Sequence, residues 1–475
     1  MAYKHGVYVQ EQATSLVPPV NVEGCVPVVI GTAPIHLASK PAKVNKPVVC
    51  YSYADAVEQL GYSDDWKSYT LCEAMYTAFS LYGVAPIIFI NVLDPAVHKE
   101  EVANEQVTVT KKVAIIEDAV ILDTLKVTGL TADVDYVVSR DDKGNTVITI
   151  DDDSSHASDE NVTVSYTKVK AKAVTKTDII GGVDIETGAN KGLEVLEDVF
   201  SVTSIVPGVL IAPGWSNIPE VAAVMATKVN RINGVFRGVT FVDLDTISVK
   251  KYSDVPEWKN KHNYTSEDQY VLWPRCYVGD KVFHMSSHAI GVNGVVLANN
   301  DDIPSESPSN KSIKIEGTCL YDGTEVVLNL TTANYLNGNG VATAINHIGG
   351  WKLWGDEMAC YPANTDPKDR FLCVRMMFNW HRQTFIRTYF NKVDGPLRRR
   401  NLDTIVNSER VRLNGLVAQE VLIAGDISFT ADENPTKSLI DGVVKFHQKL
   451  TPPVPMRDIE EVIEFDPTAY ESLFS

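Results

Sequence analysis

Basic residues are in short supply: 43 Lys and Arg stand against 61 Asp and Glu, a formal charge of −18 over 475 residues. So anionic a surface is a poor general binder of nucleic acid or acidic lipid, because neutralising phosphates takes clustered Lys and Arg. No nucleic acid is therefore expected as a partner. Cysteines are few, and the seven (Cys25, Cys50, Cys72, Cys276, Cys319, Cys360, Cys373) include no Cys-x-x-Cys pair. That argues against a closed zinc site and a disulfide scaffold. Long hydrophobic runs are missing too. The longest strongly apolar stretch, residues 83–93, is far short of the ~20 residues that span a bilayer. The opening MAYKHGVYVQEQATS lacks the apolar centre of a signal peptide. A chain made and kept in a reducing cytosol, with no membrane insertion, is the expectation. There is no internal repeat and no low-complexity tract.

What is present is ordinary globular material, 44% hydrophobic and 22% charged, long enough for roughly two to four domains. Residues 1–20 alternate weakly (Val7, Val9) and end in Pro18-Pro19, which reads as an extended, β-prone arm. Val26-Pro-Val-Val-Ile-Gly is a buried-strand pattern. Residues 53–60 and 67–82 read as helices, the second with Leu71, Met75, Ala78, Phe79 and Tyr82 on one face. Pro86-Ile-Ile-Phe-Ile-Asn is another continuous apolar strand, so the layer is α/β with both sheet faces covered. Residues 99–178 then carry 16 acidic and 10 basic side chains. Strand-like pieces at 124–128, 136–138, 146–150 and 162–166 alternate there with turn signals, and Asp141-Asp-Lys-Gly-Asn suggests a hairpin. This predicts a small, solvent-facing all-β insert. The α/β texture returns with Val209-Leu-Ile-Ala, a helix over 218–232 and Val239-Thr-Phe-Val-Asp, a βαβ unit that implies a parallel sheet. Between Arg370 and Arg412 the balance reverses to 10 basic against 3 acidic residues, with helices over 370–390 and 401–422. Residues 443–465 read as two strands about Pro452, Pro453 and Pro455, and Phe474 closes another strand-like tail.

No catalytic motif stands out. Ala212-Pro-Gly-Trp-Ser sits at a βα turn, where open α/β sheets bind ligands, but lacks the glycine spacing of a phosphate loop. Gly338-Asn-Gly340 fails G-x-G-x-x-G because Thr343 follows. His284-Met-Ser-Ser-His288 places hydroxyls beside imidazoles without a G-x-S-x-G elbow or an H-E-x-x-H helix, which reads as surface or partly buried polar sequence. Asp151-Asp-Asp-Ser-Ser lacks the central Gly and distal Glu of a calcium loop. No catalytic residue, metal or cofactor is assigned.

The combination of an N-terminal arm, an acidic β insert, a basic segment and a strand-like tail resembles the contractile tail sheath proteins of myophages and R-type bacteriocins. The residues that carry the resemblance are Lys4-His-Gly-Val-Tyr-Val-Gln-Glu, Val26-Pro-Val-Val-Ile-Gly-Thr-Ala, Val209-Leu-Ile-Ala-Pro-Gly-Trp-Ser and Leu336-Asn-Gly-Asn-Gly-Val. They continue, in the family's order, with Trp354-Gly-Asp, Val374-Arg-Met-Met, Leu413-Asn-Gly-Leu, Asn434-Pro and Pro453-Val-Pro455. Coverage is about four-fifths of the chain, the exception being the variable insert. Asp356-Glu357, after Trp354-Gly, depart from an Arg-containing family pattern.

The resemblance implies a multidomain α/β fold. Its parts would be an α/β sheath core (21–95 and 181–350), an inserted surface β domain (96–180), an α+β C-terminal domain (351–458) and exchange arms (1–20 and 459–475). It implies a non-enzymatic subunit that polymerises with itself as stacked hexameric rings around a tail tube protein, contracts, and meets baseplate and tail terminator proteins. Such particles assemble in the bacterial cytoplasm as part of a phage tail or bacteriocin. Strand donors would be Val7, Tyr8, Val9 and Gln10 at one end and Glu461, Val462, Ile463, Glu464 and Phe465 at the other. The acceptor would lie at residues 443–450, including Val443, Val444, Lys445 and Phe446. Arg398, Arg399, Arg400, Arg410 and Arg412 are the tube-facing candidates, unless sheath carboxylates pair with them. Arg375 and Arg387 are expected to pair within their own domain. Two alternatives are a sheath component of a type VI-like injection system and, from another class, a cytosolic α/β hydrolase using Ser286 and His288.

Overall fold

In the computed structural model, which describes residues 20–21, 25–141, 143–158 and 160–474, the apolar run at Val26 forms strand β1 (Val26–Gly31), buried throughout. Strand β2 (Pro47–Cys50) and helix α1 (Tyr53–Leu60) follow, the helix capped by Ser52, whose hydroxyl accepts from Asp55 N at 3.1 Å. Helix α2 (Thr70–Met75) begins three residues later than the periodicity suggests. Thr70 and Thr32 pair reciprocally, each hydroxyl accepting the other's main-chain N–H at 3.1 and 3.3 Å, and this fixes the helix start. The helix continues as a π-helical turn, Tyr76–Tyr82, and stops at Gly83, whose φ of +65° suits a residue without Cβ. Strand β3 (Ile87–Asn91) completes this half of the core.

Residues 99–169 form a sheet of their own, with strands β4 (Lys99–Thr110), β5 (Val113–Ile116), β6 (Lys126–Val127), β7 (Tyr136–Arg140), β8 (Thr146–Ile150) and β9 (Asn161–Val169) in the order β6-β9-β4-β5-β8-β7. Ile116, Tyr136, Ile148, Val162 and Val164 belong to its separate apolar cluster. The β7–β8 turn is the expected hairpin: Asp141 Oδ1 accepts from Lys143 N and Asn145 N at 2.9 and 2.8 Å, and Gly144 takes φ +84°. Where a strand over 124–128 was expected, a single turn ends at Thr124. Its hydroxyl donates to Ile121 O at 2.6 Å and accepts from Thr167 N at 2.9 Å, so only Lys126–Val127 remain to pair. Arg140 holds the Val120 carbonyl within the insert (2.7 Å) and ties the sheet to the core through the carbonyl of His36 (3.3 Å).

The chain then returns with β10 (Pro207–Ile211), α3 (Pro219–Asn230), β11 (Val239–Asp243) and β12 (Gln269–Leu272). The core sheet runs β12-β11-β10-β1-β3-β2, parallel except at the antiparallel edge strand β2. Continuous apolar strands bury both faces in this arrangement. Helix α4 (Met285–Ala298) is buried nearly all round, and its Gly291 and Gly294 permit the approach. A Cβ on Gly291 would stand 2.3 Å from the Tyr82 ring, and one on Gly294 2.5 Å from Val84.

Beyond the core, helices α5 (Leu372–Tyr389) and α6 (Arg399–Ala418) pack against an antiparallel hairpin of β13 (Ala424–Ser428) and β14 (His447–Thr451). Met377, Leu413, Leu416, Leu422 and Ile427 form the cluster between them. Four details differ from the sequence reading. Helix α6 stops at Ala418 rather than 422, because Glu420 turns left-handed (φ +61°) and sends Leu422 back into the cluster. Val443, Val444, Lys445 and Phe446 precede the strand. Asn434 already holds both main-chain groups of Lys445, at 2.7 and 2.9 Å, so the ladder starts at His447. Glu461, Val462, Ile463, Glu464 and Phe465 take no secondary structure, since an unpaired strand has no bonds of its own. The tail near Phe474 is a 3-10 helix, Pro467–Phe474, and not a strand.

At the junction of core and helices, burial pushes the Asp356 carboxyl up to about 7, against the pull of the Ser307 hydroxyl and Cys373 thiol. Between about pH 4 and 7 the folded chain keeps a proton that the unfolded chain has lost. This group's contribution to stability therefore falls as pH rises, by up to about 1.4 kcal/mol per unit. Asp356→Asn removes that slope, so the variant's stability relative to the parent rises from pH ~4.5 to ~6.5 in urea titrations. Gly291→Val should cost about 1–3 kcal/mol by overpacking α4 against Tyr82, read as a lower denaturant midpoint.

Candidate assembly surface

In open α/β sheets a ligand sits beyond the carboxyl ends of the strands. Here that place is filled by the amino end of α4. Asp243, at the end of β11, accepts Ser286 N at 2.9 Å and the Ser286 hydroxyl, while Ser216 Oγ accepts from Asp243 N at 3.0 Å. Glu73 of α2 accepts His284 N and Ser287 Oγ, both at 2.7 Å, and its other oxygen lies 2.8 Å from His284 Nδ1. These carboxylates do what a bound anion does at a helix amino terminus. Burial raises the Asp243 carboxyl above its ordinary value despite His284 and Ser286. For Glu73 burial pushes the same way, but His284 and Ser287 outweigh it and the carboxyl is held low.

Ser286 and His288 are therefore not a nucleophile and base. Both are fully buried, contrary to the expectation of surface or partly buried sequence. Ser286 is spent on Asp243, and His288 Nδ1 faces Tyr82 OH at 3.1 Å, with burial holding its pKa down at about 3. The hydrolase reading fails on that geometry. Among the described residues no group of three or more His, Cys, Asp or Glu could hold a metal ion, and no helix is long and apolar enough to cross a membrane.

The exposed features lie instead at the carboxyl end. Strands β13 and β14 pair only with each other among the described residues, so each presents an outer edge. Beside β14 runs a groove lined by Phe378, Phe385 and Ile386 of α5 with Phe446 and Leu450, and by the exposed Arg382 and Lys445 together with Glu433. A buried network supports it. Glu409, at 0% exposure, accepts from Arg412 Nε at 3.1 Å, from Tyr389 OH and from Gln448 Nε2, both at 3.2 Å. Arg412 Nη2 donates to His381 Nδ1 at 2.7 Å, and His381 Nε2 meets Gln448 of β14. Burial first, then the neighbouring Arg412 cation, lower the His381 pKa, so the ring is a neutral acceptor. No pattern in the sequence marked this network, because its members lie on three elements.

The acidic tail beyond β14 exposes its apolar side chains. Ile459, Val462, Ile463 and Phe465 are 79%, 91%, 83% and 73% exposed. Val7, Tyr8, Val9 and Gln10 lie outside the described residues. Of the basic candidates, Arg412 is committed to Glu409, Arg410 to Asp426 (3.1 Å) and Ile427 O (2.9 Å), and Arg399 to Asp403 at 3.0 Å. Arg398 and Arg400 have no ion pair among the described residues and are exposed at the start of α6. Arg375 pairs with Asp369 at 3.0 Å as expected, whereas Arg387 is exposed without an ion pair among the described residues.

No family model matches the chain. The tail sheath protein of Burkholderia phage BcepMu is 26% identical, over 96% of this chain and 95% of its own length. Among solved structures, the anti-feeding prophage baseplate aligns at TM-score 0.60 with 13% identity, covering 98% of this chain and all of the other. The anti-feeding prophage helical sheath in its contracted state aligns at 0.58 with 12% identity over 98% of this chain and 100% of its own. The contracted PVC sheath complex, an extracellular contractile injection system, gives 0.57 with 14% identity over 99% of both chains. These relatives are tail and injection-system components, not enzymes. The resemblance read from the sequence thus holds: the chain is similar in sequence, along nearly its whole length, to a myophage tail sheath protein and similar in fold to contractile sheath structures.

Proposed function

We propose that this chain is a structural subunit of a contractile tail sheath, in a phage or a related injection system, and that subunits are joined by exchanged strands. The observation that carries the reading is the pairing of surplus and deficit in one molecule. Among the described residues a two-stranded hairpin has free edges beside an apolar groove, and the tail exposes Ile459, Ile463 and Phe465 on one strand register with Val462 on the other. Residues 458–466, Asp-Ile-Glu-Glu-Val-Ile-Glu-Phe-Asp, carry only acidic charge, and the groove presents the exposed cations Arg382 and Lys445 beside Glu433. Strand addition at an edge supplies main-chain bonds, while burying Ile459, Ile463 and Phe465 adds about 1.5–3 kcal/mol per side chain. On this reading Glu461, Val462, Ile463, Glu464 and Phe465 are donors, and the acceptor is β14 with Val444, Lys445 and Phe446 beside it. Val7, Tyr8, Val9 and Gln10 are the donors for the remaining hairpin edge.

The assembly would be hexameric rings stacked around a tail tube, bounded by baseplate and terminator proteins and built in the bacterial cytoplasm. Contraction would run on assembly free energy, through inter-subunit area buried as rings close up, with no nucleotide consumed. Arg398, Arg399 and Arg400 face solvent and are the best placed of the basic residues to meet an acidic tube through weak, releasable contacts.

Electron microscopy of negatively stained particles tests the reading. Full-length chain should form ribbed tubes with or without a tube template, and a chain ending at residue 458 should form none while unfolding at the same temperature. Truncated chain that assembles normally would refute the exchange. Replacing Arg398, Arg399 and Arg400 by Glu should reduce sheath assembly on isolated tubes several-fold, leave the monomer folded, and make the residual assembly less sensitive to salt.

A further inference from the structure

Strand β14 does not lead straight into the acidic arm. Thr451 is followed by Pro452-Pro453-Val454-Pro455, and a proline has no N–H for a ladder, so pairing ends there. Such a segment is stiff and extended, advancing about 3.1 Å per residue. Its far end is fastened. Arg457 Nη1 lies 3.3 Å from Glu357 Oε1, a carboxylate only 5% exposed that also receives Arg370. Glu357 bridges to Phe371, the residue before α5. The pin therefore sits at the amino end of α5, whereas His381, which meets β14, is farther along the helix by about 15 Å at 1.5 Å per residue.

A tethered arm is the strongest competitor for its own groove, because tethering raises its local concentration to about the millimolar range. An arm starting at the pin can reach that groove only by reversing at once. Between the pin and Ile459 only Asp458 offers turn chemistry, and no glycine stands in residues 456–460 to reverse the chain tightly. Ile459, Val462, Ile463 and Phe465 accordingly stay exposed, off the groove of their own chain. We propose that residues 452–457 are a strut, pinned by Arg457 at Glu357, that holds the acidic arm away from its own acceptor groove and reserves that groove for the arm of a second copy. The inference rests on the arm-exchange reading and adds the device that makes exchange prevail over self-closure.

The test uses full-length chain carrying Val444→Cys and Ile463→Cys, treated with a short bismaleimide under assembling conditions. The seven native thiols are buried, and burial pushes Cys25 and Cys72, for example, up to about 12, so the introduced pair reacts selectively. Products between chains should dominate with the native strut. Arg457→Ala combined with Pro453→Gly should raise the ratio of within-chain to between-chain product several-fold, because the released arm then competes at the effective concentration of its own tether. Arg457 is 62% exposed, so its truncation leaves the fold intact, and Pro453→Gly alone serves as an independent second variant. Within-chain product dominating with the native strut, or a ratio indifferent to both variants, overturns the strut. No product of either kind in any background overturns arm exchange itself, and the strut with it.

Discussion

The need of main-chain N–H and C=O groups for partners governs the carboxyl-terminal half of this molecule. The β13–β14 hairpin is held from one side by α5 and α6 and has no third strand among the described residues. A two-stranded sheet is marginal alone, and its free edges are templates for another chain. The arrangement of residues 443–474 follows from this. Asn434 occupies the main chain of Lys445 before the ladder, prolines end the ladder after Thr451, and the amphipathic segment beyond them is left without a partner.

The core spends its polar groups differently. Asp243 and Glu73 occupy the mouth of the parallel sheet as caps on α4, so the position where α/β folds hold ligands is closed by the chain's own helix. Buried carboxylates tolerate that position because each accepts main-chain and hydroxyl donors. The same economy explains the glycines of α4: with Gly291 against Tyr82 and Gly294 against Val84, the helix lies close enough for its amino end to reach both carboxylates.

Charge is also partitioned by neighbours rather than by composition. The basic segment between Arg370 and Arg412 looks uniform in sequence, yet Arg370, Arg375 and Arg412 turn inward to Glu357, Asp369 and Glu409. Arg398 and Arg400 remain outside as unpaired cations among the described residues. Asp356-Glu357, a local departure from the sheath pattern, provides one buried acid at the junction and the pin for Arg457.

Elements with strong apolar patterning were legible from the residues alone. Val26–Gly31, Pro207–Ile211 and Val239–Asp243 are short, largely apolar runs that the βαβ order makes buried parallel strands, and the Asp141 turn has the chemistry of a hairpin. Strand β4 was not legible, since Lys-Glu-Glu-Val-Ala-Asn-Glu-Gln alternates poorly and is mostly exposed. Tertiary structure alone decided the rest. Ser286 and His288 lie two apart in sequence, but their fate depends on Asp243 and Tyr82, which are distant in sequence and adjacent only in the fold. The Glu409–Arg412–His381–Gln448 network and the Glu357–Arg457 pin likewise join residues that no local pattern relates. Periodicity reports which face a residue shows, whereas only packing settles which charge or edge finds a partner.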